Sequence, residues 1–252
     1  MPDAPRDAAT NPQPPEPRDC QVLTSPLLAK HGFAHGFSLR TEEPGDLMRA
    51  LLAPQILYQA NQVHGAGVLR GEGDVAALRQ LPADALVARA PFAVGVRVAD
   101  CVPLLVGARE TGSVAAIHAG WRGVVLGVIP AALAALARDG EARRVAAIGP
   151  CLGPCCVEVG ADVADQIAAA SHGANVVARR AGDKAYVDLR AAVRAQLAAN
   201  GIDGASVDDV PGCTKCDAVR FFSFRRDGAN AGRHLAAIAA RDAERDAPPG
   251  PT

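Results

Sequence analysis

The middle of the chain alternates between short apolar runs rich in valine and isoleucine and longer stretches rich in alanine. The short runs are typical of strands in a buried sheet, and the alanine-rich stretches have the length of helices. The pattern predicts strands at 93–98, 102–106, 113–117 and 145–148, and helices at 124–138, 161–171 and 189–200. Gly140 and Gly201 are expected to end the first and the last helix, and Pro130 marks either a kink or a later start of the first.

The two ends of the chain have a different composition. Residues 1–19 are rich in proline and nearly free of aliphatic side chains, and residues 244–252 repeat that character. Segments of this kind cannot bury enough apolar surface to fold, so both ends are predicted to be disordered. The folded domain is predicted to span residues 20–243.

Composition and charge limit the possible classes of function. The chain has 252 residues, of which 49% are hydrophobic and 21% charged, so it can bury a substantial core. A net charge of −1 gives no long-range field for nucleic acid or an anionic membrane, so any phosphate recognition must be local. No apolar run approaches the roughly 18 residues of a membrane span, and the N-terminus lacks the features of a signal peptide. We expect a cytoplasmic protein without nucleic-acid or membrane partners, whose seven cysteines are ligands, nucleophiles or small core residues.

His64, Cys101 and His118 each lie at the end of a predicted strand, beside a glycine or an aspartate. Two imidazoles and one thiolate are a ligand set that a catalytic zinc uses when its fourth position stays open for water. Taken singly, such a cysteine is more often a small core residue and such a histidine a hydrogen-bonded one, so both interpretations stay open at this point. Trp121 and Arg122 follow His118 and add an aromatic face and an anion-binding group.

Five further cysteines allow a second interpretation. Cys213 and Cys216 form a C-x-x-C pair, and Cys151 with Cys155 or Cys156 could complete a structural zinc site. The first half lies in a Gly-Pro turn whose spacing is unlike that of a zinc knuckle, and adjacent cysteines point in divergent directions. These features favour buried thiols near the cleft.

Arginines beside glycine turns form a third group. Arg122 lies in Gly-Trp-Arg-Gly, and Arg225 follows an aromatic run. Both could hold a phosphate or a carboxylate through two hydrogen bonds. Arg226 has an equally good alternative, a contact with Asp227 in a solvated turn, and Arg40 is a weaker candidate for substrate binding.

Seven motifs occur in order between about residue 33 and residue 238, and together they resemble the consecutive signatures of the YfiH family. That family is also called the multicopper polyphenol oxidoreductase or laccase-domain family and includes FAMIN-like proteins. The motifs are Gln-Val-His64-Gly, Ala-Asp-Cys101-Val-Pro, Ile-His118-Ala-Gly-Trp-Arg-Gly, the Gly149-Pro-Cys to Val-Gly160 segment, Tyr186-Val-Asp-Leu, Cys213-Thr and Phe222-Ser-Phe-Arg-Arg-Asp-Gly. The resemblance implies a single α+β domain with mixed sheets sandwiched between helices, similar to the cysteine hydrolase domain of cytotoxic necrotising factor toxins. It also implies that His64, Cys101 and His118 are zinc ligands, with copper possible at the same site.

The same resemblance implies purine nucleoside chemistry. The expected reactions are phosphorolysis of adenosine, inosine and S-methyl-5'-thioadenosine, with adenosine deamination as a companion activity. Arg122 and Arg225 are the candidates for holding phosphate, and Trp121 or Phe222 for stacking on the base. Asp100 is a candidate acid or base, with a positioning role as the alternative.

Three other classes of function differ from this one in the residues that they require. A laccase needs about ten histidines in paired motifs, whereas this chain has six and no His-x-His. Relatives are also described as peptidoglycan editing factors, so amide hydrolysis of a muramoyl-serine nucleotide precursor is the alternative. Either Cys101, activated by His118, would be the nucleophile, or zinc-bound water would attack the amide carbonyl. A metal-holding assembly module without turnover is a third class.

One connection and two residues depart from the family pattern and bear on substrate choice. The connection from Arg40 to His64 is short, Val157 replaces a usual tyrosine, and Cys151 stands where a smaller residue is common. The three ligands and both arginine motifs are present. We expect His118→Ala to remove metal and turnover while leaving the fold intact.

Overall fold

The computed structural model describes residues 22–41 and 43–242 of the chain. The segments predicted to be disordered, 1–19 and 244–252, lie outside the described residues. The strands are β1 (Val22–Leu23), β2 (His35–Ser38), β3 (Ile56–Tyr58), β4 (Val68–Arg70), β5 (Ala85–Ala88), β6 (Phe92–Val98), β7 (Val102–Ala108), β8 (Val114–Ala119), β9 (Arg144–Ile148), β10 (Glu158–Gly160), β11 (Val177–Ala181), β12 (Lys184–Val187), β13 (Val207–Asp209) and β14 (His234–Ala239). The helices are α1 (Pro26–Lys30), α2 (Pro44–Leu52), α3 (Val75–Leu78), α4 (Trp121–Leu126), α5 (Val128–Ala137), α6 (Ala161–Ala169), α7 (Leu189–Ala199) and α8 (Phe224–Asp227), with short 3₁₀ turns at Gly204–Ser206 and Gly228–Asn230.

The described strands form three sheets. A six-stranded sheet has the order β13-β9-β7-β8-β5-β4, a five-stranded sheet the order β1-β2-β14-β6-β3, and a small sheet the order β10-β12-β11. The two larger sheets are mixed, because β13 runs parallel to β9, β4 to β5 and β3 to β6, while their other pairs are antiparallel.

Two-residue periodicity explains how the larger sheets pack. In β7, Leu104 contributes to the core on the side of the helices, whereas its neighbour Leu105 lies in the core between the two sheets. In β14, Ile238 faces that same inner core, and Ala237 faces outward toward α2. Every residue of β7, β8 and β14 is buried, so these strands have apolar side chains on both faces.

Helices cover the outer face of each large sheet. Met48 and Leu52 of α2 pack on the five-stranded sheet. Ile129 of α5 packs on the six-stranded sheet, and α6 and α7 continue the same core, with α7 against α5 and α6 against the small sheet. This arrangement confirms the predicted single α+β domain with mixed sheets between helices. None of the helices in the described part of the chain has the length and apolar character needed to span a lipid bilayer.

The predicted strands are confirmed to within two residues at each end by β6, β7, β8 and β9. The helices predicted at 161–171 and 189–200 are confirmed as α6 and α7, and Gly201 has the expected positive φ of 81°. The prediction of one helix at 124–138 is wrong, because Gly127 adopts φ 80° and separates α4 from α5. Pro130 therefore lies in the first turn of α5, where backbone N–H groups have no partner within the helix, so the missing N–H of proline costs no hydrogen bond. Pro130 marks a later start of the helix and not a kink.

Candidate metal centre

The structure brings together the three residues with predicted ligand side chains, His64, Cys101 and His118. Their ligand atoms all lie within 4.8 Å of one another, and the two imidazole rings meet edge to face with centroids 4.8 Å apart. His118 is buried, Cys101 is half-buried and His64 is exposed, so the group opens toward solvent on the His64 side.

Strand register places two of these residues side by side. In the antiparallel pair β7–β8, Val102 lies opposite Ala119 and Pro103 opposite His118. Cys101 immediately precedes β7, so its thiol reaches the end of β8 that carries His118. His64 approaches from the loop between β3 and β4, with a backbone φ of 60°.

Asp84 connects the ligands to the core, and it was not among the residues predicted from the sequence. Its Oδ1 accepts hydrogen bonds from His118 Nδ1 at 2.7 Å and from the His64 backbone N–H at 2.9 Å. Its Oδ2 accepts from the backbone N–H groups of Val63 at 3.2 Å and Gly65 at 2.7 Å. One buried carboxylate therefore orients His118 and fixes the loop that carries His64. Because Nδ1 of His118 donates to Asp84, its Nε2 is the nitrogen left for a metal.

The same contacts set the protonation states of the group. Burial alone would lower the pKa of His118, but the hydrogen bonds with Asp84 and Cys101 raise it to about 9. Burial alone would raise the pKa of Cys101, but His118 and His64 lower it to about 6. The pKa of Asp84 also lies below its ordinary value, because its hydrogen bonds outweigh its burial. Near neutral pH the thiol is a thiolate, the form that binds a metal.

Gly120 leaves the space that these ligands occupy. A Cβ at this position would lie 3.1 Å from Cys101 Sγ and 3.3 Å from His64 Cδ2, closer than side chains normally approach. The donor set of two imidazoles and one thiolate, oriented by a buried carboxylate, fits Zn²⁺ and would also accept copper.

A cleft of about 660 Å³ lies over the three ligands and is strongly cationic. Among the described residues that line it, Asp100 is the one carboxylate, and the arginines are Arg79, Arg97, Arg122, Arg225 and Arg233. Burial and the charges of Arg79 and Arg233 hold the pKa of Arg97 below its ordinary value. Crowded guanidinium groups of this kind are stabilised by an anion.

Four of the predicted substrate or catalytic residues besides the ligands line this cleft: Asp100, Trp121, Arg122 and Arg225. Arg122 stacks on the Trp121 ring at 4.8 Å from the centroid. Asp100 has a φ of 92°, and both of its carboxylate oxygens are occupied. Oδ1 accepts from Thr214 Oγ1 and Oδ2 from the Arg225 backbone N–H, each at 2.6 Å.

Two predicted residues, Arg40 and Phe222, do not line the cleft. The Phe222 ring packs beside His234, and the Arg40 guanidinium lies over that ring and donates to the Ala218 carbonyl. The aromatic side chain that does line the cleft is Phe224, which is 52% exposed. Residues 221–223 form neither a strand nor a helix, and α8 begins at Phe224, whose ring lines the cleft in place of that of Phe222.

Arg226 makes the local contact with Asp227 that was the alternative to anion binding. Its guanidinium pairs with Asp227 at 2.7 Å and donates to the carbonyl oxygens of Phe221 and Thr214, each at 2.9 Å. The side chain therefore holds the turns around α8 together.

Comparisons with known proteins show the family of this chain. The sequence profile of the family described as multi-copper polyphenol oxidoreductase laccase matches residues 42–241. Adenosine deaminase RL5, from an unknown prokaryotic organism, is 41% identical over 160 residues, which cover 62% of this chain and 61% of that relative. Purine nucleoside phosphorylase YfiH of Escherichia coli strain K12 is 36% identical over 167 residues, covering 66% of this chain and 67% of the relative. The crystal structure of YlmD from Geobacillus stearothermophilus is similar with a TM-score of 0.77 and 27% identity, and covers 90% of this chain and 98% of that one.

Proposed function

Because the chain belongs to the multi-copper polyphenol oxidoreductase laccase family, whose relatives include YfiH, we propose that it is a zinc-dependent purine nucleoside phosphorylase. The proposed substrates are adenosine, inosine and S-methyl-5'-thioadenosine, with phosphate as the second substrate and adenosine deamination as a second activity. The names of the relatives support an enzyme of nucleoside chemistry. The observation that carries the proposal is the His64–Cys101–His118 group beneath an arginine-lined cleft. A cytoplasmic location stays a prediction.

The copper oxidation in the family description does not fit these residues. Of the six histidines, only His64 and His118 belong to a group of ligand side chains in the described structure. Of the remaining ones, His35 bonds to the backbone of Ser25 and Phe33, and His234 bonds to the backbone of Phe222. A laccase needs about ten histidines arranged around several coppers.

Each part of the cleft has a role in the proposed reactions. Zn²⁺ held by His64, Cys101 and His118 would supply a Lewis acid that activates water near pH 7, as deamination requires. Arg122 and Arg225, together with the crowded Arg97, provide donors for the phosphate that phosphorolysis consumes. The faces of Trp121 and Phe224 suit stacking with a purine.

We assign Asp100 a positioning role. Its two carboxylate oxygens already accept hydrogen bonds from Thr214 and from the backbone of Arg225. A carboxylate with both oxygens so bonded holds the cleft wall in place more readily than it exchanges protons with a substrate.

The test is turnover of adenosine and inosine by metal-analysed protein, with and without phosphate. Chromatography would follow free base, ribose 1-phosphate and inosine. Free base and ribose 1-phosphate that form only with phosphate would support phosphorolysis, and inosine formed from adenosine would support deamination. A zinc-loaded chain that makes neither product would contradict the proposal.

One observation favours a second candidate, a cysteine hydrolase that cleaves the amide of a muramoyl-serine nucleotide. The contact between Cys101 and His118 gives a thiolate with a pKa of about 6 beside an imidazolium, as a nucleophilic cysteine requires. Removal of the metal would distinguish the two proposed functions. Thiolate catalysis would persist in chelator-treated protein, whereas zinc-dependent nucleoside turnover would stop.

A further inference from the structure

Four cysteine side chains that the proposed reaction does not use meet at the protein surface. Cys155 Sγ lies 3.8 Å from Cys213 Sγ and 3.7 Å from Cys216 Sγ, and Cys156 Sγ lies 3.4 Å from Cys216 Sγ. All four sulfur atoms lie within 4.8 Å of one another. We call these four residues the cysteine cluster. It is partly exposed, so the preference for buried thiols is wrong for these residues and holds for Cys151, which is fully buried.

The distances between the sulfur atoms distinguish a metal site from disulfides. A zinc ion with four thiolates at about 2.3 Å in a tetrahedron places the sulfurs about 3.8 Å apart. A disulfide would need about 2.05 Å. From this spacing we propose that the cysteine cluster binds one Zn²⁺ through four thiolates, as a structural site separate from His64, Cys101 and His118.

The local backbone explains how the four ligands converge. Cys213 and Cys216 have the C-x-x-C spacing of a zinc ligand pair on one turn. Cys155 and Cys156 lie on the turn that ends before β10. The expectation that adjacent cysteines diverge is not met here, because Cys216 Sγ contacts both of them, at 3.7 Å and 3.4 Å.

Groups around the cysteine cluster suit bound thiolates. The backbone N–H of Gly153 donates to Cys213 Sγ at 3.3 Å, and a Cβ on Gly153 would lie 3.4 Å from the sulfurs of both Cys155 and Cys213. Four thiolates around Zn²⁺ carry a net negative charge. Arg226 donates to the Lys215 carbonyl at 3.2 Å and Arg225 to the Cys156 carbonyl at 3.4 Å, so guanidinium groups lie against both ligand loops.

The cysteine cluster joins two loops that also support the cleft. Cys151 forms a β-bridge with Cys213, and the Thr214 backbone N–H donates to the Cys151 carbonyl at 3.0 Å. From these same loops, Leu152 N–H donates to the Asp100 carbonyl at 2.9 Å and Thr214 Oγ1 to the Asp100 carboxylate at 2.6 Å. A metal in the cluster would therefore fix the wall next to Cys101.

The test measures zinc per chain in full-length protein that has been purified with reductant, zinc-loaded and freed of excess metal. The variants are Cys213→Ser/Cys216→Ser, His64→Ala and the control Cys151→Ala, whose thiol is buried outside the cluster. If both proposed sites bind zinc, wild type and control should hold about two ions and each other variant about one. If only the cluster binds, His64→Ala should match wild type and the double variant should hold none. A double variant with as much zinc as wild type would overturn the proposal, whatever the state of the first site.

A spectroscopic test avoids dependence on the folding of the double variant. Co²⁺ added to metal-free, reduced His64→Ala chain should give the intense ligand-field and sulfur-to-metal absorption of tetrahedral cobalt with four thiolates. Absence of that absorption would overturn the proposal. So would disulfides among the four cysteines in freshly purified protein that contains no zinc.

Discussion

Asp84 Oδ1 lies 2.7 Å from His118 Nδ1, and both side chains are almost completely buried. The same carboxylate accepts hydrogen bonds from three consecutive backbone N–H groups around His64. The orientation of one ligand and the path of the loop that carries another thus depend on a single residue outside the ligand set.

Replacement of that residue should weaken metal binding. In Asp84→Asn, the amide can no longer accept at both positions, so the N–H of Gly65 or His64 loses its partner. We expect zinc affinity to fall by about 10- to 100-fold, measured by competition with a chromophoric chelator. Asp188→Asn is the matched control, because Asp188 is a carboxylate that caps α7 through Ala191 N–H. An unchanged zinc affinity in Asp84→Asn would contradict the role assigned to Asp84.

The two histidine ligands should differ in their effect on stability. Both His64→Ala and His118→Ala should lose zinc from the site. His64 is exposed, so its loss should change the free energy of unfolding of metal-free protein by no more than about 0.5 kcal/mol. His118 is 3% exposed, and its loss leaves the buried Asp84 with one donor fewer, which should cost about 1 to 3 kcal/mol. Denaturant unfolding of both variants checks this difference, and equal stabilities would refute it. The burial of His118 therefore corrects the expectation that His118→Ala leaves the fold unaffected.

A methyl group at position 120 should disturb the site without disturbing the backbone. Gly120 has φ −70°, which alanine also adopts, but the added Cβ would crowd Cys101 Sγ and His64 Cδ2. We therefore expect Gly120→Ala to bind zinc more weakly and turn over more slowly while keeping near-native thermal stability. Gly204→Ala is the control, since nothing lies within 4 Å of a Cβ there. Equal zinc affinity in the two variants would show that the ligands can shift to make room.

In metal-free protein, the reactivity of Cys101 toward alkylating reagents should rise at a lower pH than that of an ordinary cysteine. Its pKa of about 6 means that the thiolate is populated above pH 6, whereas an ordinary cysteine needs a pH above about 8.5. Alkylation by iodoacetamide, followed peptide by peptide in the mass spectrometer, should show a midpoint near pH 6 for Cys101 and protection on adding zinc. Cys151 is the internal reference, because burial raises its pKa to about 12 and it should stay unmodified. A midpoint for Cys101 above pH 8 would rule out the thiolate.

Removal of the Arg122 charge from the cleft should slow phosphorolysis much more than deamination. Arg122→Gln keeps the length of the side chain roughly but removes its charge, so the KM for phosphate should rise about 10- to 100-fold. Deamination consumes no phosphate, so its rate should change much less. Arg194→Gln is the control, because Arg194 of α7 pairs with Asp209 of β13 and does not line the cleft. An unaltered phosphate KM in Arg122→Gln would place the anion site elsewhere, with Arg97 as the next residue to test.

The proximity of Cys101 and His118 could be predicted from the sequence because both residues lie beside strong strand signals, whereas His64 lies in a loop. His118 is the penultimate residue of β8 and Cys101 immediately precedes β7, and both strands are buried, largely apolar runs. Asp84 could not be recognised in this way. A single aspartate before the apolar run of β5 looks like the end of a turn, and only the pairing of β5 with β8 shows that it meets His118.

The parts of the site that were missed depend on contacts between distant segments. Phe222 and Phe224 are two residues apart, and only the start of α8 decides which of them faces the cleft. The cysteine cluster needs the bridge between Cys151 and Cys213, which are 62 positions apart by their numbering. By contrast, the break between α4 and α5 at Gly127 could have been predicted from the sequence, because a glycine three residues before a proline is a common boundary between helices.

Asp100 bears on any attempt to make this protein more heat-resistant. A non-glycine residue with φ 92° carries a local conformational cost on the order of 1 kcal/mol, which glycine would avoid. A design procedure that considers only the conformational energy of the backbone would therefore choose glycine at position 100. The product would lose the carboxylate that accepts hydrogen bonds from Thr214 and the Arg225 backbone, so the relief of backbone strain would be offset and the segment beside Cys101 would lose its anchor.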